Sequence, residues 1–232
     1  EGQLRIRLYN GTNGAPVTNA KVLITYTGGP QDTIEELTSD SSGFVEPVTL
    51  RTPPLEYSMQ PQDRQPYAEY SVIVQAEGFR EVEVSGVELM SGQLSEQPIQ
   101  LESYDAPRPN EGNIVIGAHT LYGEYRPKSP EEEVKTVDES GGIVLSRVVI
   151  PEYVVVHDGP PGDASAKDYY VRYRDYIKNV ASSEIYATWP DATIRANVLA
   201  IMSFTLNRVY TEWYRGKGYN FTITSSTAYD HK

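Results

Sequence analysis

The residue best placed to do chemistry is Glu184, followed at once by Ile185 and Tyr186 and then by Trp189-Pro190. Apolar neighbours disfavour the ionised form of a carboxyl, so one walled in this way can hold a proton near neutrality and deliver it as a general acid. Breaking a glycosidic bond needs that proton on the leaving oxygen. A hydrolase usually adds a second carboxylate as nucleophile or base. No companion is evident around Glu184, which favours chemistry in which one Glu serves first as acid and then as base. From spacing alone the position also reads as a solvated helix-end Glu. Other mechanisms have less support. The histidines His119, His157 and His231 lack metal-ligand spacing, Ser182-Ser183 has no Gly-x-Ser-x-Gly elbow, and the chain has no cysteine. His157-Asp158-Gly159 reads either as a pair of active-site neighbours or as a turn, the turn being favoured.

Two helices are expected to position Glu184. Tyr169, Tyr173, Tyr176, Ile177 and Val180 form a tyrosine-rich apolar stripe that ends near Ile185. After a short turn at 186–189, Ile194, Val198, Ile201, Met202, Val209 and Trp213 form a second stripe. Pro190 suits the first helical position, Asp191 suits the positive end of the helix dipole, and Gly216 and Gly218 are expected to end the helix.

A chain of 232 residues, 39% hydrophobic, can bury a core and is expected to form two domains. Its net charge of −12, with no basic run, argues against a nucleic-acid partner and against anionic membrane surfaces. No apolar run is long enough for membrane insertion. The N-terminus lacks the regions of a signal peptide, and its first residue is Glu, so a processed or trimmed chain is expected. Tyrosines outnumber phenylalanines 18 to 4, which suits surfaces that stack on sugars as well as half-buried sheets.

Residues 1–103 read as all-β. Leu4, Ile6 and Leu8 alternate with polar neighbours up to the turn Asn10-Gly11, and Val22, Ile24 and Tyr26 alternate before Gly28-Gly29-Pro30. Further strands fit 45–50, 70–75, 81–84 and 97–101, and a Pro- and Gln-rich loop fits 51–68. The whole suggests a small β-sandwich. Gly14-Ala15-Pro16-Val17, Ala20-Lys21-Val22, Thr38-Ser39-Asp40 with Gly43-Phe44, and Tyr70-Ser71-Val72 leading to Glu77-Gly78-Phe79 resemble the carboxypeptidase regulatory-like or transthyretin-like domain, a module that is usually noncatalytic. Residues 104–150 read as a linker or pro-region with one strand near Ile114–Ile116, a solvated Glu131-Glu132-Glu133 run and a flexible Gly141-Gly142. The fold class is therefore multidomain α+β, with an N-terminal β-sandwich followed by a mainly helical, catalytic-type region at 151–232.

That last region carries a second resemblance. Tyr176, Ile177, Val180, Ser182, Ser183, Glu184, Trp189, Pro190, Ala192, Arg195, Ala196 and Ala200 resemble, in order, the core motif of the stage II sporulation protein D family of peptidoglycan lytic transglycosylases. The resemblance implies that Glu184 is the catalytic acid, that Ser183, Tyr186, Trp189 and Tyr229 contact substrate, and that neither metal nor cofactor takes part. In that family a comparable segment is followed by many more residues, so the expectation is that this region is either truncated at its C-terminus or unusually small. With the sandwich in front, the arrangement resembles the spore cortex-lytic enzymes of the SleC type. Those act outside the cytoplasm on cortex peptidoglycan during germination, and an activating protease releases them from zymogens. A cut between 139 and 150, near Arg147, is the matching expectation, and a buried strand linking the domains fits Ile143 to Leu145 equally well. A noncatalytic wall-binding or adhesion protein is the alternative.

Overall fold

The computed structural model describes residues 1–59, 64–107, 113–117 and 148–230. The chain divides into two compact units, Glu1–His119 and Thr120–Lys232.

The first unit is a β-sandwich. One sheet has the order β4-β1-β7, built from β1 (Gly2–Asn10), β4 (Phe44–Leu50) and β7 (Leu94–Leu101). The other has the order β3-β2-β5-β6-β8, built from β2 (Lys21–Tyr26), β3 (Gly29–Thr38), β5 (Tyr67–Gln75), β6 (Val82–Met90) and β8 (Asn113–Val115). Period-two alternation places Leu4, Ile6 and Leu8 on the inner face of β1. There they meet Val22, Ile24, Val72, Val74 and Val84 of the facing sheet in one buried cluster. Each such side chain contributes about 1.5–3 kcal/mol when removed from water. At the tip of the β3–β4 hairpin, Asp40 Oδ1 accepts the N–H groups of Ser42 and Phe44, and Gly43 supplies the positive φ of 75°.

The structure extends several of the expected strands and adds β3, which the Gly28-Gly29-Pro30 turn signal had hidden. The 51–68 loop contains a single helical turn, α1 (Glu56–Met59), and its end belongs to β5. The strand expected near Ile114 lies parallel to β6, so the first unit extends past residue 103. Gly86 makes that pairing possible. It has φ of 83°, and a Cβ there would lie 2.4 Å from the Ile116 carbonyl oxygen.

The second unit is α+β rather than mainly helical. β9 (Tyr153–His157) pairs antiparallel with β10 (Asp168–Arg172) and parallel with the two-residue β11 (Ile223–Thr224). Helices α2 (Tyr173–Glu184) and α3 (Asp191–Tyr210) cover one face, where Val154, Val171 and Ile223 pack on Tyr173, Tyr176, Ile177, Val180 and Ile201. On the other face Val155 packs with Tyr214 and Phe221. Tyr169 therefore lies on a strand and not on the first helical stripe, because ladder pairing with Val156 competes with a spacing of four that also fits a helix.

The second helix ends earlier than Gly216. Thr211 caps it, Glu212 takes the left-handed conformation at φ 49°, the Trp213 N–H bonds the Arg208 carbonyl, and the Glu212 N–H bonds that of Val209. This is the double C-terminal closure usually made with glycine, here with Glu in its place. Trp213 consequently leaves the helical stripe. Gly218, at φ 89°, closes the following 3₁₀ turn, Arg215–Lys217. Among the described residues, no helix is long and apolar enough to cross a membrane.

Candidate functional site

Glu184 is the last residue of α2. Ile185 turns extended, with φ −143° and ψ 153°, while its N–H still bonds the Ala181 carbonyl. The chain reverses through a turn closed by the Trp189 N–H on the Tyr186 carbonyl. Pro190, at φ −54° and ψ 138°, caps α3 rather than occupying its first helical position, and its carbonyl accepts the N–H groups of Thr193 and Ile194. The reversal brings the second turn of α3 back alongside Glu184. The Asn197 Nδ2 donates to Glu184 Oε2 at 2.9 Å.

Glu184 is half-buried, neither sealed in the core nor free in solvent. Ile185 and Tyr186 beside it are 9% and 3% exposed, and Trp189 is half-buried. Tyr176, two turns earlier on α2, is also buried. Burial pushes its phenol pKa well above the ordinary value, and the fields of the Asp230 and Glu184 carboxylates add to the rise. Asp191 at the start of α3 is exposed and paired with Arg195 at 2.7 Å.

Of the expected substrate-binding residues, Tyr186 and Trp189 stand in the turn next to Glu184. The Ser183 hydroxyl donates back to the Asn179 carbonyl at 3.0 Å, as serines within helices often do. Tyr229 is 41% exposed. It belongs to a tail anchored near the far end of α3, where the Asp230 Oδ1 accepts from Arg208 Nε at 3.0 Å. Asp230 Oδ2 accepts from the Tyr214 hydroxyl at 2.6 Å and, from Thr224, the N–H at 3.0 Å and the hydroxyl at 2.7 Å. At 1.5 Å per residue, Arg208 lies about 16 Å along the helix from Asn197. The structure thus groups Glu184, Tyr186, Trp189 and Asn197, and anchors the Tyr229 segment elsewhere on the same helix.

His157 is 5% exposed, ends β9, and faces Asp168 across the ladder with Nδ1 and Oδ1 2.7 Å apart. Its ring stacks on Phe221 at 4.4 Å. This is half of a nucleophile-activating triad without the nucleophile. No described residue partners Nε2, and the nearby Ser225 hydroxyl donates to Asp158 Oδ1 instead. No group of three or more potential metal ligands occurs among the described residues. His119, His231 and the Glu131–Glu133 run lie outside the described residues.

Sequence reasoning missed Asn197 and the Arg208–Asp230 cluster. The one available signal for either was a polar side chain recurring among the apolar positions of α3: Asn197 follows Ile194 and precedes Ile201, and Arg208 precedes Val209.

No protein-family model matches the chain. No curated protein matches it. Solved structures that resemble part of it include the Bacillus anthracis TIE protein (15% identity, TM-score 0.29, 44% of this chain and 16% of that one). A second is Klebsiella pneumoniae 5-hydroxyisourate hydrolase (12% identity, TM-score 0.30, 44% and 90%). A third is a minor pilin of Streptococcus agalactiae (13% identity, TM-score 0.30, 47% and 48%). The chain thus spans less than a fifth of the TIE protein and about half of the pilin. Likenesses of this size concern the β-sandwich and assign no activity.

Proposed function

We propose that the second unit is the core of a peptidoglycan lytic transglycosylase, with Glu184 as its single acid and base. The observation that carries this reading is the setting of Glu184: a half-buried carboxylate at a helix end that accepts a hydrogen bond from the amide of Asn197 and is followed in the chain by the buried Ile185 and Tyr186 and the half-buried Trp189. The motif resemblance of residues 176–200 supports it. In the reaction, the Glu184 proton passes to the glycosidic oxygen as the C1–O bond breaks. The carboxylate then takes the proton of the muramyl 6-hydroxyl as that oxygen bonds to C1. The products are a 1,6-anhydro end and a free hydroxyl, no water is consumed, and Glu184 ends protonated as it began. Ser183, Tyr186, Trp189 and Tyr229 are proposed to contact the glycan.

The substrate proposed is spore cortex peptidoglycan, met outside the cytoplasm during germination by an enzyme that an activating protease releases. Most of the proposed cleavage stretch, 139–147, lies outside the described residues, including Gly141-Gly142 and Arg147. Its end, Val148 to Ile150, is more than half exposed, which suits protease access. A noncatalytic wall-binding protein is the second reading. It is favoured by Tyr170, 80% exposed, with Tyr153 and Tyr169 near one half, since exposed tyrosines suit stacking on sugars.

Glu184→Gln decides between them. The nearly isosteric amide removes the proton donor, and loss of general acid catalysis costs about 10² to 10⁴ in rate. Purified cortex peptidoglycan is the substrate, and mass spectrometry identifies the ends. Anhydromuramyl ends that vanish in the Gln variant, with wall binding kept, support the transglycosylase. Reducing ends identify a hydrolase, and an active Gln variant removes Glu184 from the chemistry.

A further inference from the structure

Asn197 carries an unexplained feature. Its Nδ2 donates to Glu184, but its Oδ1 is buried and has no hydrogen-bond partner among the described residues. Buried acceptors are nearly always satisfied in native proteins, and each exception calls for a physical reason. The orientation itself follows from the neighbour. A carboxamide facing an ionised carboxylate must present its N–H, because the carboxylate can only accept. The observed orientation, with Nδ2 on Oε2 and Oδ1 left over, is the one that an ionised Glu184 requires. Were Glu184 protonated, a half-turn of the amide about Cβ–Cγ would bring Oδ1 round to accept the carboxyl proton.

We infer that Asn197 is a positioning residue that holds Glu184 in both protonation states, its amide donating to the carboxylate and, turned over, accepting from the acid. This rests on the reading of Glu184 as acid and then base. A residue that gives up a proton and takes one back within a single turnover needs a partner for each state. An amide is the neutral side chain that offers a donor and an acceptor on one planar head. A lysine in its place could only donate, and an ionised aspartate would oppose the carboxylate.

In step with the reaction, the acid form of Glu184 starts hydrogen-bonded to Asn197 Oδ1. When its proton moves to the glycosidic oxygen, the amide turns and Nδ2 steadies the new carboxylate. When the 6-hydroxyl proton arrives, the amide turns back. No proton passes through Asn197 itself. Asp191 and Arg195 on α3 pair with each other, and the Glu184 carboxylate adds its field to the burial that keeps the Tyr176 phenol neutral.

The test is a pair of variants assayed on cortex peptidoglycan beside Glu184→Gln, with kcat, KM and a pH profile for each. Asn197→Ala should lower kcat about 10- to 100-fold with KM within about twofold, the size of effect expected from a misplaced catalytic group. Asn197→Asp, isosteric but ionised, sets a like charge against Glu184. It should move the alkaline limb of the profile up by about one pH unit or more, because the general acid then holds its proton to higher pH. The limb reads the contact between the two side chains, and the fall in kcat at unchanged KM in Asn197→Ala reads the positioning that a residue which only fills space would not supply. Kinetics for Asn197→Ala within about threefold of the parent, or an unmoved limb in Asn197→Asp, overturns the inference while an inactive Glu184→Gln keeps the catalytic reading. If Asn197→Ala does not fold, the nearly isosteric Asn197→Leu takes its place in the kcat and KM comparison, and failure of both to fold makes Asn197 a structural residue. An active Glu184→Gln removes both readings.

Discussion

Replacing Asp230 by alanine should unfold the second unit long before the first. Its side chain is completely buried, and it receives Arg208, Tyr214 and both donor groups of Thr224. Arg208 is itself 4% exposed and is flanked by the Phe204 and Trp213 rings at 4.6 and 4.3 Å. Losing the carboxylate strands a guanidinium in an apolar setting, and removal of one member of a buried pair costs about 3–5 kcal/mol. Against a total of about 5–15 kcal/mol for a domain, that is a large share. For a unit of this size it corresponds to a fall in Tm of about 15–25 °C. The assay is selective because both tryptophans, Trp189 and Trp213, lie in the second unit, so their fluorescence follows it alone. Circular dichroism of the β-rich first unit should stay unchanged. The double variant Arg208→Met with Asp230→Leu should regain the part of the loss that comes from the stranded guanidinium and not the part from the Tyr214 and Thr224 donors, which stay unpaired. A loss below about 1 kcal/mol for Asp230→Ala, or a double variant no better than the single, would refute the view that this ion pair anchors the tail.

Glu212→Gly should stabilise the second unit by about 0.5–1 kcal/mol, because it relieves a left-handed residue and removes a negative charge from a helix C-terminus, less the extra backbone entropy of glycine. Urea unfolding followed by tryptophan fluorescence measures it, and activity should be unchanged. Above pH 10 the second unit should lose stability: burial, reinforced by the Asp230 charge, raises the phenol pKa values of both Tyr176 and Tyr214. The stability they hold is fully present below the unfolded value of about 10 and is lost as pH rises through the folded values. A second unit equally stable at pH 8 and pH 11 would contradict this.

What could be read from the sequence was what depends on near neighbours. Leu4, Ile6 and Leu8 declared a half-buried strand because a strand repeats every two residues, and Asp40 to Gly43 declared a tight turn because Asp caps its own loop. β3 was not legible. Its Asp32, Glu35 and Glu36 are exposed or half-buried, and as an edge strand it carries charges where a central strand carries aliphatics. Tyr169 misled for the opposite reason, since a spacing of four to Tyr173 satisfies the helical period while the β9 ladder claims the residue. The helix end misled too, because glycine is the usual signal and Glu212 took that conformation instead.

The same division runs through the candidate site. Glu184, Tyr186 and Trp189 are close in sequence, and their types alone suggested a walled carboxyl. Asn197 is brought to Glu184 only because Ile185 goes extended and Pro190 restarts the chain at the angle that returns α3 alongside α2. Asp230 reaches Arg208 only because β11 adds parallel to β9 and sets the tail against the end of α3. Periodicity carries no information about such meetings, since it is blind to any partner outside the element. The chemistry-bearing residue was therefore legible and its support was not. For the same reason variants of Asn197, rather than further variants of Glu184 itself, test whether the fold has built a site around that carboxylate or has merely left it at a helix end.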